Sequence, residues 1–391
     1  MIDIDGIKGI DTPFYLYDIE LLRRTLQKVC DNASRYGFFV HYALKANFDP
    51  RILQEVKSFG LGTDCVSGGE VRASVEAGFD PAGIVFAGVG KRDDEIEYAL
   101  EKGILAFNCE SLEELEVIDG IAGRTGRRAR VALRINPDVD PQTHKNISTG
   151  HADSKFGIAY TEIEQAIERI GSLRNISIAG LHFHIGSQIL NMKVFEYLCK
   201  RVVSIMSWFE ERGVRITYVN VGGGLGINYE SPRTEPIPDF DTYFRIFADN
   251  LPLRADQTLH FELGRSIVAQ CGSLITKVLY NKKTASGKNY VLVDASMTEL
   301  IRPALYDAHH HIDNLTPHEG TEVYSIAGGV CESSDIFARD IKLPVTRRGD
   351  YLALRSAGAY GQSMASCYNL RPLPRSVYYT ESEGIECDTR I

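Results

Sequence analysis

Between residues 36 and 265 the chain alternates short β-rich apolar runs with longer stretches of helical periodicity. The runs Phe38–Leu44, Gly62–Val66, Ile84–Ala87, Leu105–Cys109, Val131–Asn136, Ile178–His184, Tyr218–Val221 and Leu259–Glu262 read as strands. Asp49–Phe59, Ser67–Ala77, Asp93–Lys102, Ser111–Ile121, Thr161–Ile170 and Lys193–Arg212 read as helices between them. Ser67 with Glu70, and Ser111 with Glu114, have the spacing of capping boxes. This alternation predicts a (β/α)8 TIM-like barrel, with a doubly wound open sheet as the alternative. After about residue 270 the texture changes to strands, with Ser273–Tyr280, Tyr290–Val293, Val323–Ile326 and Tyr351–Leu354 as candidates. The expected division is a barrel over 22–268 and a mostly β C-terminal domain over 269–391, joined by the N-terminal segment 1–21.

Composition adds exclusions. The 391 residues are 44% hydrophobic and 24% charged, near globular averages, with a formal net charge of -9. An acidic chain is a poor general nucleic-acid binder, and no apolar run approaches the roughly 20 residues of a membrane span. The opening Met-Ile-Asp-Ile-Asp is acidic where a signal peptide is basic, so a cytoplasmic location is expected. The eight cysteines form no CxxC pair, so neither zinc nor a dithiol motif is indicated.

In a barrel, catalytic groups stand at the C-terminal ends of the strands. There the chain places Lys45, Asp64, Arg134, His184, the Gly222-Gly223-Gly224 run, and Glu262 with Arg265. Three glycines after a strand let backbone N–H groups approach a phosphate, although a plain tight turn has the same composition. Lys45 either snorkels to solvent or is paired and used chemically. Glu262 either bridges to Arg265 or serves a cofactor. An amine, a carboxylate and a phosphate loop together suit pyridoxal phosphate.

The segments YALKAN (42–47), SGGE (67–70), RINPDVDPQTH (134–144), SKFGI (154–158), HFHIGSQ (182–188) and GGGLGI (222–227) occur in that order. RPALYDAHH (302–310), CESSD (331–335) and GAYGQSMASCYNLRP (358–372) follow. On these motifs, which span most of its length, the chain resembles the diaminopimelate decarboxylase family, in the alanine-racemase-like (fold-type III) class of pyridoxal-phosphate enzymes. The resemblance implies that Lys45 is the Schiff-base lysine, that Glu262 faces the pyridine nitrogen and that His184 stacks on the ring. Gly223, Gly224, Ser187, Gly264, Arg265 and Tyr360 would surround the phosphate, and Asp64, Glu70 and Arg134 would line and orient the ring. Cys331 would deliver a proton, and Arg265, Arg302, Tyr306, Tyr360 and Glu332 would bind substrate. Cys331 and Glu332 would come from the second subunit of a homodimer. The implied reaction is decarboxylation of meso-2,6-diaminopimelate at its D centre to L-lysine and CO2.

Two departures from the family pattern are visible. Leu263 stands where the family usually has proline, and Ala327-Gly328-Gly329-Val330 replaces a Gly-Pro approach to Cys331. Residue by residue, blander readings exist: His184 as a core histidine, Cys331 as a small buried residue, Arg302 and Tyr306 as a surface pair. The alternatives at the level of function are a decarboxylase of D-ornithine, D-lysine, arginine or ornithine, a racemase, or a catalytically silent cofactor-binding partner. Glu262 counts against the racemase. His309-His310-His311 is read as a solvated loop or partner contact rather than a metal site.

Overall fold

The computed structural model describes residues 4–137, 139, 155–159 and 162–388. Parts of the RINPDVDPQTH and SKFGI segments, and Thr161 at the expected start of a helix, therefore lie outside the described residues. The chain resolves into two compact units. One contains Leu26–Gly226 and Asp239–Gly264; the other contains Met1–Thr25, Ile227–Pro238 and Arg265–Ile391.

Strand β1 (Phe14–Asp18) belongs to the second of these units. The first unit is a closed barrel of eight parallel strands. They are β2 (Phe39–Ala43), β3 (Gly62–Cys65), β4 (Ile84–Phe86), β5 (Ala106–Cys109), β6 (Ala129–Arg134), β7 (Ile176–His182), β8 (Tyr218–Asn220) and β9 (Thr258–Leu263). Each pairs with its neighbour in sequence, and β9 closes on β2 with Tyr42 opposite Leu263. The open-sheet alternative is thereby excluded. The strands are buried almost throughout, as parallel strands covered on both faces must be.

Helices between the strands begin where the capping residues place them. Ser67 Oγ accepts the Glu70 N–H at 3.2 Å, and Ser111 Oγ accepts the Glu114 N–H at 3.2 Å. The return bonds reach one residue further back than a standard capping box. Glu70 takes the Val66 N–H at 2.7 Å, and Glu114 takes that of Glu110 at 2.6 Å. Each carboxylate thus ties the end of a strand to the first turn of the next helix, fixing the loops at the C-terminal ends of the barrel strands. Several strands end one or two residues before their predicted ends. β2 stops at Ala43, so Lys45 sits in a single 3-10 turn (Leu44–Ala46), and β7 stops at His182, leaving His184 beyond it.

In the second unit, β1 lies between β10 (Gly272–Lys283), antiparallel, and a parallel strand near the C-terminus, β16 (Arg375–Thr380). The remaining strands are β11 (Asn289–Val293), β12 (Ile312–Asn314), β13 (His318–Ala327), β14 (Ile336–Val345), β15 (Tyr351–Leu354) and β17 (Gly384–Cys387). Ile7, Phe14, Leu16, Ile275, Tyr351, Ala353 and Val377 form its apolar core. Among the described residues no helix is long and apolar enough to cross a membrane.

Barrel closure depends on close backbone approach at Gly180, where an added Cβ would stand 1.6 Å from the Tyr218 carbonyl oxygen on the adjacent strand. Gly180→Ala is expected to cost about 3 kcal/mol or more by overpacking, lowering Tm by roughly 6–12 °C. Gly120→Ala, on a helix where a Cβ meets nothing nearer than 4.0 Å, is expected to raise Tm slightly. Thermal melts of the two variants check this pair.

Candidate active site

At the C-terminal ends of the barrel strands, polar side chains converge on one carboxylate. Glu262, next to last in β9, is buried. Its Oε1 accepts from Asn108 Nδ2 at 3.0 Å and from Asn220 Nδ2 at 2.8 Å, and its Oε2 lies 3.0 Å from His182 Nε2. Asn108, His182 and Asn220 sit at the ends of β5, β7 and β8, so four strands contribute to the cluster. Burial alone would raise the carboxyl pKa. The hydrogen-bonded His182 and the charge of Lys45 outweigh it, and the group is held well below the usual carboxylate range.

Lys45 is not a free surface lysine: its Nζ donates to Asp64 Oδ2 at 2.9 Å. Asp64 is completely buried, whereas the Lys45 side chain is 38% exposed. Asp64 Oδ1 has no hydrogen-bond partner among the described residues, and burial together with the Glu262 charge pushes this carboxyl pKa up. The turn that carries Lys45 is fixed on both sides. Tyr42 Oη donates to the Asn47 carbonyl at 2.8 Å, Asn47 Oδ1 accepts the Asp49 N–H at 2.8 Å, and Asp49 caps the helix Pro50–Ser58.

The glycine run follows β8. Gly222 and Gly224 have φ of +67° and +105°, and a Cβ on Gly223 would stand 1.9 Å from the Glu262 carbonyl oxygen. A side chain is therefore excluded at Gly223, where the backbone must pass close to β9. The Gly223 N–H donates to His184 Nδ1 at 3.3 Å, which assigns that nitrogen as an acceptor. Burial, then the charges of Arg134 and Lys45, push the His184 pKa well down, so the ring is neutral. The loop carrying Ser187 is tied to the glycine run by Ile189 N–H to Gly224 O at 2.8 Å and Gly226 N–H to Ile189 O at 3.0 Å. Gly264 closes the set, with a Cβ there only 2.9 Å from the Ala46 Cβ. Arg134 is held by Glu110 at 2.7 Å, and Glu110 also accepts the Gly88 and Gly157 N–H groups.

In the second unit, Arg265 and Arg302 are both buried, so the surface-pair reading of Arg302 fails. Arg302 and Tyr306 share the short helix Arg302–Tyr306. Arg265 Nη1 and Arg302 Nη1 donate to a single oxygen, Tyr229 Oη, at 2.7 and 2.8 Å. The Arg265 guanidinium also lies 4.9 Å from the Tyr360 ring centroid. Tyr360 has a left-handed backbone, φ +56°. Cys331 and Glu332 are exposed in the loop between β13 and β14, which overturns the small-buried-residue reading of Cys331. Glu332 Oε1 accepts from Tyr368 Oη at 2.6 Å, and the Cys331 N–H reaches Asn369 Oδ1 at 3.3 Å. The approach to this loop is ordered by Asp335, which takes the Val330 N–H at 3.0 Å. The histidine triplet is a solvated loop only in part, since its middle member is buried. His310 is buried against Arg302, His311 pairs with Asp313 and His309 with Glu230.

The sequence pattern named Glu262 but none of the three side chains that hold it, and it passed over Glu110 and Tyr229. For Asn108 and Asn220 a signal existed: an amide inside a short apolar strand is disfavoured unless something uses it.

Residues 20–269 match the family described as "Pyridoxal-dependent decarboxylase, pyridoxal binding domain". The chain is 51% identical over 381 residues to the diaminopimelate decarboxylase of Bacteroides thetaiotaomicron, covering 97% of this chain and 98% of that one. The chain belongs to the diaminopimelate decarboxylase family. The family enzyme of Aquifex aeolicus is 41% identical over 92% of this chain and 85% of its own length. Among solved structures of the family, that of Helicobacter pylori diaminopimelate decarboxylase complexed with L-lysine superposes with a TM-score of 0.91 at 38% identity, covering 98% of this chain and 95% of that one. The barrel suits the family's pyridoxal group chemically: a lysine amine in reach of solvent, a buried ionised carboxylate and a glycine run with no room for side chains.

Glu70 gives a pH test of the site. Burial raises its pKa to about 7, against the pull of the Val66 N–H and Lys45. The folded state therefore binds this proton more tightly than the unfolded chain, whose carboxyl titrates near about 4.3. The stabilisation is complete below that pH and is lost as pH rises through about 7. Glu70→Gln keeps the acceptor for Val66 and cannot ionise. Its Tm is expected to match the wild type near pH 4.5 and exceed it at pH 8; parallel curves would contradict this.

Proposed function

We propose that the protein decarboxylates meso-2,6-diaminopimelate at its D centre, with pyridoxal phosphate as cofactor, to give L-lysine and CO2. The observation that carries this reading is the pairing, in one chain of this family, of a buried ionised Glu262 with the buried cations Arg265 and Arg302. The first suits the chemistry, and the second suits a substrate that carries a second carboxylate. A substrate ending in an amine alone would bring a cation to two cations.

Lys45 would hold the cofactor through Nζ, with Asp64, 2.9 Å from that amine, beside it as the partner carboxyl. When bound, the cofactor supplies the electron sink that accepts the pair left at Cα as CO2 departs. Glu262 keeps a proton on the cofactor's ring nitrogen, and Asn108, Asn220 and His182 keep Glu262 ionised and aimed. His184 would face the ring as a neutral imidazole, and Asp64, Glu70 and Arg134 would orient it. Gly223, Gly224, Ser187, Gly264, the Arg265 backbone and Tyr360 bind the phosphate. Arg265, Arg302, Tyr306 and Tyr360 take the distal carboxylate, and Glu332 takes the distal ammonium. Cys331 delivers a proton to Cα, so the bond lost to CO2 is replaced by a bond to hydrogen.

In this reading Cys331 and Glu332 serve the site of a second subunit, and the enzyme is a homodimer. Their exposure supports it, as does the apolar surface close by in sequence, where Tyr368, Leu370 and Leu373 are 48%, 97% and 58% exposed. We take residues 22–268 as the cofactor domain and 269–391, with 1–21, as the second domain. A cytoplasmic location fits eight cysteines that form no disulfide.

An assay following lysine and CO2 tests the proposal. Lys45→Ala is expected to abolish turnover together with the absorbance of covalently held cofactor. Cys331→Ala is expected to lower kcat by about 10²–10⁴-fold, and Glu332→Gln to raise KM for meso-diaminopimelate by about tenfold or more. An enzyme that holds the cofactor yet forms no lysine would overturn the assignment.

A further inference from the structure

Two buried guanidinium groups repel one another, and their long side chains have many rotamers to escape into. Here both are pinned. Tyr229 Oη, itself buried, accepts from Arg265 Nη1 at 2.7 Å and from Arg302 Nη1 at 2.8 Å. A phenol oxygen has two lone-pair sites, and the two arginines occupy both. Arg302 Nη1 also lies 3.0 Å from His310 Nε2. His310 Nδ1 lies 2.8 Å from the Arg355 carbonyl, which needs a proton on Nδ1 and leaves Nε2 as the acceptor that Arg302 requires. The Tyr229 and His310 rings meet edge to face, 5.3 Å apart at 79°, so each holds the other in place.

We propose that Tyr229 and His310 form a brace that fixes the position and direction of the two guanidinium groups, and so sets the selectivity of this cluster for a substrate carboxylate. The inference rests on the functional reading above and deepens it. Neither residue needs to touch the substrate; both are positioning residues. The hydrogen-bond count shows how the brace works. Both Nη1 hydrogens of Arg302 are directed to Tyr229 and His310, while its Nη2 and Nε hydrogens have no partner among the described residues. That free edge is the fork that binds a carboxylate through two parallel bonds. The brace consumes the donors on one side of the guanidinium and presents those on the other. Burial and the Arg302 charge push the His310 pKa down to about 3, so the acceptor persists at neutral pH. Burial would raise the pKa of the Tyr229 hydroxyl, but the charges of Arg265 and Arg302 outweigh it and draw it below its usual value.

The test compares two ligands that differ in one group. L-Lysine keeps the carboxylate and amine of the centre that is not decarboxylated, and cadaverine is the same chain without the carboxylate. Both are titrated by calorimetry into the cofactor-loaded dimer, wild type and variant, beside steady-state kinetics on meso-diaminopimelate. Tyr229→Phe keeps the ring and removes the oxygen. It is expected to weaken L-lysine by about tenfold or more, to change cadaverine by less than about twofold, and to raise KM far more than it lowers kcat. His310→Phe is expected to act in the same direction, with His310→Gln partly restoring lysine affinity through its side-chain carbonyl; this pair carries the test if Tyr229→Phe does not fold. Equal losses for lysine and cadaverine, or none for either in an active enzyme, would overturn the brace. A wild type that neither turns over meso-diaminopimelate nor binds L-lysine would overturn the functional reading instead, and the brace with it.

Discussion

An ionised carboxylate at the centre of a barrel is the constraint on which the rest of this architecture turns. A bare buried carboxylate takes up a proton rather than remain charged in a low-dielectric interior. Glu262 stays charged because Asn108, Asn220 and His182 direct donors at its two oxygens. Those groups reach it only if β5, β7, β8 and β9 end at matched heights around a closed barrel. The register that places His182 opposite Asn220 therefore belongs to the chemistry as much as to the fold. Gly223 and Gly180 are the steric side of the same requirement, since each lies where a neighbouring strand leaves no space for a side chain.

The second unit handles charge by a related device with the sign reversed. Arg265 and Arg302 are buried cations held by neutral acceptors, a phenol and an imidazole, rather than by carboxylates. A permanent counter-ion would compete with an anionic ligand. Neutral acceptors fix the geometry and leave the positive charge available. The two units thus carry preorganised charges of opposite sign, a buried carboxylate in one and two buried guanidinium groups in the other.

Much of this was legible in the chain. Period and capping residues marked the eight barrel strands, and the residues at their ends included Lys45, Asp64, Arg134 and Glu262. Strand ends were less secure, because Lys45 and His184 follow β2 and β7 in short irregular turns that apolar periodicity cannot separate from the strand. What composition could not reveal were side chains whose importance lies in a partner far along the chain. Asn108 meets Glu262 across 154 positions, and Tyr229 meets Arg302 across 73. His310 was hidden by its neighbours: three consecutive histidines look like one solvated feature, yet only the middle one turns inward.

The most direct measurement of the central claim is turnover of meso-diaminopimelate in D2O by the cofactor-loaded enzyme, with chiral chromatography and mass spectrometry of the products. Decarboxylation at the D centre followed by a single protonation predicts L-lysine alone, with one deuterium at the ε-carbon and one CO2 released per lysine. Recovery of D-lysine, or of deuterated diaminopimelate without CO2, would contradict it, since it would mean that the site acts on the other centre or moves protons without breaking the carbon–carbon bond.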